Sequence, residues 1–224
     1  MDGTKANVAE YVRLAKKYNA LTYLDEVHAV GLYGKKGRGV AQECGVSDQI
    51  DIINGTLAKG FGQIGGYITG DEILIDFIKS FAPGFIFTTS MMPAIAAAAS
   101  KSIEIVQTLD EERKLVFSKA NYIKNQLKKV GIDFIDSDSH IIPVLAYDES
   151  KVKDYSNTLL NKHNTYLQPI FYPTVPKGSA RLRITVTPKH SITDINDLIS
   201  SLRMTWGKHS QRVISAPLQP AMAL

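Results

Sequence analysis

Three short apolar runs, each closed by a turn and followed by a helical pattern, constrain most of what this chain can fold into. The runs are ALTYLDE (20–26), IDIINGTLA (50–58) and GGYITG (65–70), and each reads as a strand of four to six residues bounded by Gly, Asn or Asp. Before the first run, Val8, Tyr11, Val12, Leu14 and Ala15 recur at helical spacing. After the third, DEILIDFIKSFA (71–82) repeats that period. Strand and helix alternating in this way predict an α/β layer built on a partial, mainly parallel sheet. Residues 92–131 are rich in helix formers and stop at Gly131, which predicts two helices or one long bent one.

The texture then changes. IDFI and SHIIPVLAY (139–147) read as strands, DESKVKDYSNTLLNKH (148–163) as a helix, RLRITVT (181–187) as a strictly alternating strand, and TDINDLISSLRMTW (193–206) as a helix. The expected organisation is a cofactor-binding α/β part over 1–109, a small α+β domain over 110–208, and a disordered tail over 209–224.

Composition excludes several functions. A formal charge of +4 over 224 residues, with no Lys/Arg run beyond pairs such as Lys35-Lys36, argues against nucleic acid as a partner, while a basic groove for a phosphorylated ligand stays open. No apolar run reaches the roughly 18 residues of a membrane span, and the first twenty residues lack the pattern of a secretory signal. The one cysteine, Cys44, excludes an internal disulfide framework and fits a reducing compartment.

Chemistry concentrates at two strand ends. In YLDEVHAVGLYGKKGRG, Asp25 closes an apolar strand and His28 follows after one turn. The carboxyl ends of parallel strands are where open α/β sheets bind ligands. The glycines at 31, 34, 37 and 39 match neither the dinucleotide nor the nucleotide-phosphate loop spacing. Asp25, Glu26 and His28 lack the further ligand that a metal site needs, so no metal is expected; Asp25 alone also reads as a turn cap. The next strand delivers NGTLAKGFG, with Lys59 among small neighbours and Thr56 three residues before it. A lysine and a carboxylate at adjacent strand ends suit pyridoxal phosphate. The lysine forms the Schiff base, and the acid keeps the ring nitrogen protonated. Desolvation would help the amine lose its proton. The alternative is a solvated turn lysine.

Together with GTLAKGFGQIGGYI, GFIFTTSMMPA, SHIIPV and QPIFYPTVPKGSARLRIT, the Asp25 segment resembles the α-oxoamine synthases of the pyridoxal phosphate fold-type I superfamily, from residue 1 to about 208. The resemblance implies that Lys59 holds the cofactor and acts as general base, that Asp25 pairs with the ring nitrogen, that His28 lies beside the ring oxygen, and that Thr56 binds the phosphate. It also implies that Thr88 and Thr89 reach the cofactor of a second subunit in a homodimer, and that Arg183 binds the substrate carboxylate. Arg181, on the same strand face, reads as a solvated charge and His140 as structural. The DEVHAVG and FIFTTS forms point to the member that condenses glycine with succinyl-coenzyme A, rather than to sisters that use another acyl-coenzyme A. The implied setting is the bacterial cytoplasm or, alternatively, a mitochondrial matrix.

Family members carry a long region ahead of the MDG at which this sequence starts. That region holds a ring-stacking histidine and a helix start that cradles phosphate. The expectation is therefore a C-terminal portion, inactive alone, with a sheet edge and apolar surface exposed. A non-catalytic truncated chain that pairs with a full-length or N-terminal partner is the reading from another class.

Overall fold

The computed structural model describes residues 1–207 and 214–215, and the chain divides into two compact units, Ala6–Arg113 and Lys114 onward joined by Met1–Lys5. In the first unit, helix α1 (Val8–Lys17) leads into strand β1 (Tyr23–Asp25). Asn7 caps α1 by accepting the Glu10 N–H, Glu10 sits in the first turn, and Lys16 and Lys17 end the helix, all of which complement its dipole. A short helix α2 (Val40–Glu43) precedes strand β2 (Ile52–Thr56), and strand β3 (Gly66–Gly70) follows.

The sheet order is β1-β2-β3. β1 and β2 are parallel, with Asp25 opposite Asn54. The register is fixed where the strands begin. Both the backbone N–H and the hydroxyl of Thr22 donate to the Asp51 carboxylate at 2.7 Å, and the Asp51 N–H donates back to the Thr22 hydroxyl at 2.9 Å. These bonds hold the Asp51 carboxyl below its ordinary value. β2 and β3 are antiparallel, with Gly55 opposite Tyr67. The alternation of strands and helices did not foretell this reversal. Its reason is loop length: Leu57–Gly65 is too short for a crossover, which takes a dozen or more residues, and it closes on itself through Leu57 N–H to Gly65 C=O (2.9 Å) and Gln63 N–H to Leu57 C=O (2.7 Å).

One sheet face carries Leu24 and Ile53 and packs on Val8, Val12, Ala41 and Ile50. Helix α3 (Glu72–Phe81), N-capped by Asp71, has no buried residue, and helix α4 (Pro83–Ile86) has none either. Several apolar side chains here face outward: Ile73, Phe77, Phe81 and Phe85, and Phe87 just after α4, are all more than half exposed. Helix α5 (Pro93–Val106) completes a second cluster in which Ala99 meets Val30, Leu57 and Phe61. Residues 92–131 are thus two helices, since α6 (Asp110–Val130) starts afresh after a three-residue break.

The second unit holds a three-stranded sheet, β5 (Ile141–Tyr147), β7 (Ala180–Thr185) and β6 (Gln168–Ile170), with β7 central and both pairings antiparallel. Helices α7 (Glu149–His163) and α8 (Ile192–Trp206) belong to the same unit. Leu127, Phe134, Ile142, Val144, Val152, Leu159, Leu182 and Leu202 are fully buried and form its core. The predicted strand IDFI shrinks to β4 (Ile135–Asp136), which pairs with β8 (Ile214–Ser215). The rest of the stretch expected to be a disordered tail lies outside the described residues.

α8 starts with a reciprocal capping box. The Asp194 N–H donates to the Ser191 hydroxyl at 3.0 Å, and the Ser191 N–H donates to the Asp194 carboxylate at 2.7 Å. Ser191→Ala is expected to destabilise this unit by about 1 kcal/mol in denaturant unfolding, and an unchanged midpoint would rule out that contribution. Among the described residues, no helix is long and apolar enough to cross a membrane, and no group of His, Cys, Asp and Glu side chains is placed to hold a metal ion.

Candidate active site

The pleat of the sheet places the predicted residues. In the paired register, Asp25 lies beside Asn54, and Thr56 is two residues further along β2. Side chains two apart on a strand share a face, so Asp25, Asn54 and Thr56 present on one face at the carboxyl ends of the two parallel strands. Glu26, Gly55 and Tyr67 belong to the opposite face, the one that packs on α1. Lys59 lies three residues beyond Thr56, in the loop closed by Leu57 and Gly65.

Close packing then brings the segment after β1 onto that loop. A Cβ placed on Gly60 would lie 2.9 Å from the Val30 carbonyl oxygen, and one on Gly31 would lie 3.5 Å from the Gly60 Cα. Only a residue without a side chain fits at position 60. The Ser102 hydroxyl of α5 donates to the Phe61 carbonyl at 2.7 Å, and the Met91 methyl abuts Gly65. The segment carrying Thr88 and Thr89 therefore runs against the end of the lysine loop, with both threonines exposed.

Each predicted group has a definite local state. The Asp25 carboxylate accepts the Val27 N–H at 2.9 Å, which is the turn-cap role, and remains exposed. His28 is exposed in the turn in which the Glu26 carbonyl accepts from the Ala29 and Val30 N–H groups. The Thr56 hydroxyl donates to the Gly65 carbonyl at 3.2 Å and accepts the Ala58 N–H at 3.1 Å. Lys59 is exposed, so the desolvation anticipated for its amine is not provided by these residues.

Arg183 belongs to the second unit. It lies mid-strand in β7 between Pro143 and Gln168 and is half-buried. The alternation predicted for this strand is present, with Leu182, Ile184 and Val186 buried. Arg181 departs from expectation. It is 6% exposed rather than solvated, its Nε donates to the Ser179 carbonyl at 2.9 Å, and burial pushes its guanidinium below the ordinary value. Its strand neighbours Ala180 and Leu182 are buried with it. His140 is buried, with its ring edge-on to Phe117.

Sequence reasoning weighed Glu26 only as a metal ligand and missed its structural role. This residue is 2% exposed, and its carboxylate accepts the Val40 N–H at 2.9 Å and the Ala41 N–H at 2.7 Å, which ties the start of α2 to the end of β1. No local pattern announces the clamp, because its ends are fourteen residues apart. Tyr67 was missed too. Its ring covers Gly55, and burial, reinforced by the Glu26 charge, pushes its phenol up, so it stays a hydrogen-bond donor.

Fold and strand-end site together define a fold-type I α/β protein, and solved structures agree. A serine palmitoyltransferase from S. paucimobilis with a bound PLP–myriocin aldimine matches with a TM-score of 0.86 and 28% identity, over 92% of this chain and 52% of that one. An 8-amino-7-oxononanoate synthase from Francisella tularensis shares the fold with a TM-score of 0.75 at 20% identity, over 87% of this chain and 57% of that one. The chain belongs to the aminotransferase class I and II family, whose sequence pattern matches residues 1–202. Its curated relatives include the 5-aminolevulinate synthases of Bradyrhizobium diazoefficiens (48% identical over 93% of this chain and 51% of that protein) and Rickettsia felis (50% over 90% and 49%). The 5-aminolevulinate synthase of Rhodobacter capsulatus is 44% identical over 93% of this chain and 51% of its own length. The chain spans about half the length of the curated relatives it matches.

Proposed function

We propose that this chain carries the lysine-bearing part of a 5-aminolevulinate synthase, which condenses glycine with succinyl-coenzyme A to give 5-aminolevulinate, coenzyme A and carbon dioxide. The observation that carries the reading is the shared sheet face of Asp25 and Thr56, with the Lys59 loop packed against the segment after β1. The donor set fits pyridoxal phosphate: a carboxylate for the ring nitrogen, a hydroxyl for the phosphate, an amine for the aldehyde, and glycines that let a flat ring approach. When bound, the cofactor supplies an electron sink for a carbanion at the glycine α-carbon.

The chain's own residues do the rest. Asp25 would keep the ring nitrogen protonated. His28 would donate toward the ring oxygen, and Thr56 would help to hold the phosphate. The Lys59 amine takes the α-proton as general base. Arg183 offers a guanidinium fork that would match a substrate carboxylate in a two-point contact.

The second subunit of a homodimer would reach this site through Thr88 and Thr89. The exposed apolar band of α3 and α4 just before them, with Phe77, Phe81 and Phe85 each at 55% exposure or more, supports an interface there. The bacterial relatives favour a bacterial cytoplasm over a mitochondrial matrix.

The test is an acyl-coenzyme A panel with glycine, run on the polypeptide encoded by the complete reading frame that carries these residues. The expected outcome is release of 5-aminolevulinate with succinyl-coenzyme A as the preferred acyl donor. Preference for acetyl or pimeloyl donors would move the chain to a sister synthase, and no turnover with any donor would overturn the enzymatic reading. The 224 residues alone are expected to show no turnover.

A further inference from the structure

We propose that the loop after β1 holds a second binding site, distinct from the lysine site, for a phosphate-bearing metabolite. Lys35, Lys36, Arg38 and Gln42 line a small cavity of about 180 Å³. Its wall is formed mainly by aliphatic stems, and the polar ends of the exposed Lys35, Lys36 and Arg38 side chains are donors. The Gln42 carbonyl oxygen is taken by the Lys35 backbone N–H, which leaves the Gln42 amide NH₂ as a further donor among the lining residues. Among the described residues, no ion pair links any of these three cations to a carboxylate. A cavity formed by three cationic side chains and an amide donor suits an anion with several acceptor oxygens. Phosphate groups meet that need through charge-assisted hydrogen bonds.

The loop is held in shape before any ligand arrives. The Gly31 N–H donates to the Gly37 carbonyl at 2.7 Å and the Gly39 N–H to the Tyr33 carbonyl at 2.8 Å. Beyond them, Glu26 clamps the start of α2. Lys36 itself sits at φ +59°, a conformation that non-glycine residues rarely take and that tends to mark functional loops. A preformed cradle lowers the ordering cost of binding. A nucleic-acid strand or an anionic membrane would call for an extended basic stripe, whereas this cluster is confined to one turn and its cavity has no aromatic wall for stacking.

The experiment is calorimetric titration of the purified protein with inorganic pyrophosphate and with adenosine 3′,5′-bisphosphate. The arms are the unaltered chain, the triple variant Lys35→Ala/Lys36→Ala/Arg38→Ala, Gln42→Glu, and Lys59→Ala. Saturable binding is expected, weakened at least tenfold in the triple variant and in Gln42→Glu, and unchanged in Lys59→Ala. Tighter binding of the bisphosphate identifies a nucleotide as the source of the phosphate, and equal binding identifies a simpler phosphorylated metabolite; both support the site. Binding that survives the triple variant, or that is lost in Lys59→Ala, overturns it. So does single-stranded RNA binding as tightly as either probe at the same salt.

Discussion

In the polypeptide encoded by the complete reading frame, Lys59→Ala is expected to abolish the visible absorbance of covalently held pyridoxal phosphate and to lower condensation by about 10²–10⁴-fold or more, the range a general base contributes. The reason lies in how few amines the site face offers. Asp25 and Thr56 mark where a ring nitrogen and a phosphate would sit on the exposed face of β1 and β2. Lys59 is the lysine on the loop that follows Thr56 and packs against Val30 and Gly31. Lys35 and Lys36 lie on a separate cavity in the preceding loop, so Lys35→Ala is the matched control and should leave the absorbance intact. The measurement is an absorbance spectrum of protein reconstituted with the cofactor, followed by borohydride reduction and peptide mapping. Persistent visible absorbance in Lys59→Ala, or a reduced adduct mapped to another lysine, would remove Lys59 from its role. A normal spectrum without 5-aminolevulinate formation would spare the cofactor assignment and overturn only the substrate assignment.

Much of this arrangement is written locally. Helical patterns in 8–17, 71–82, 148–163 and 193–206 are signals within a few turns, and the helices they predict are present, with Asp71, Asp148 and Ser191 found as their caps in the last three. The strict alternation of 181–187 is equally local and places Leu182, Ile184 and Val186 inward. What escaped the sequence depends on partners far along the chain. The antiparallel return of β3 follows from the closure of the Leu57–Gly65 loop, which a strand-and-helix pattern does not encode. Arg181 is buried in a strand whose partners β5 and β6 lie far from it along the chain, so its burial has no local signal. The exposure of Lys59, and the outward aromatic side chains of α3 and α4, were legible only as an expectation of missing cover. Apolar periodicity says which face seeks burial, not what will cover it.

Glu26 gives the second large effect. Its carboxylate is almost wholly buried and accepts two backbone N–H groups, Val40 at 2.9 Å and Ala41 at 2.7 Å. Gly39 approaches so closely that a Cβ there would lie 2.8 Å from the carboxylate, so the space has no room for rearrangement. In Glu26→Ala both N–H groups lose their acceptor inside the protein and a cavity opens beside them. Hydrogen bonds to a charged group contribute about 1.5–3 kcal/mol each, and orphaned buried donors keep their full desolvation cost. The expected loss is therefore about 3 kcal/mol or more in the Ala6–Arg113 unit. Glu26→Gln retains one acceptor oxygen and should lose roughly half as much. Hydrogen exchange reads the clamp directly. The Val40 and Ala41 amides should exchange faster by two orders of magnitude or more in Glu26→Ala, since every 1.4 kcal/mol is about tenfold, while amides in β5 and β7 of the other unit stay protected. The consequence reaches the site as well, because the same turn that buries Glu26 presents Asp25 and His28. Weakened cofactor affinity in Glu26→Gln, at a temperature where the unit stays folded, is the expected functional signature. Unchanged exchange at Val40 and Ala41 in Glu26→Ala would show that α2 is held by its apolar contacts with Val8 and Val12 rather than by the buried carboxylate.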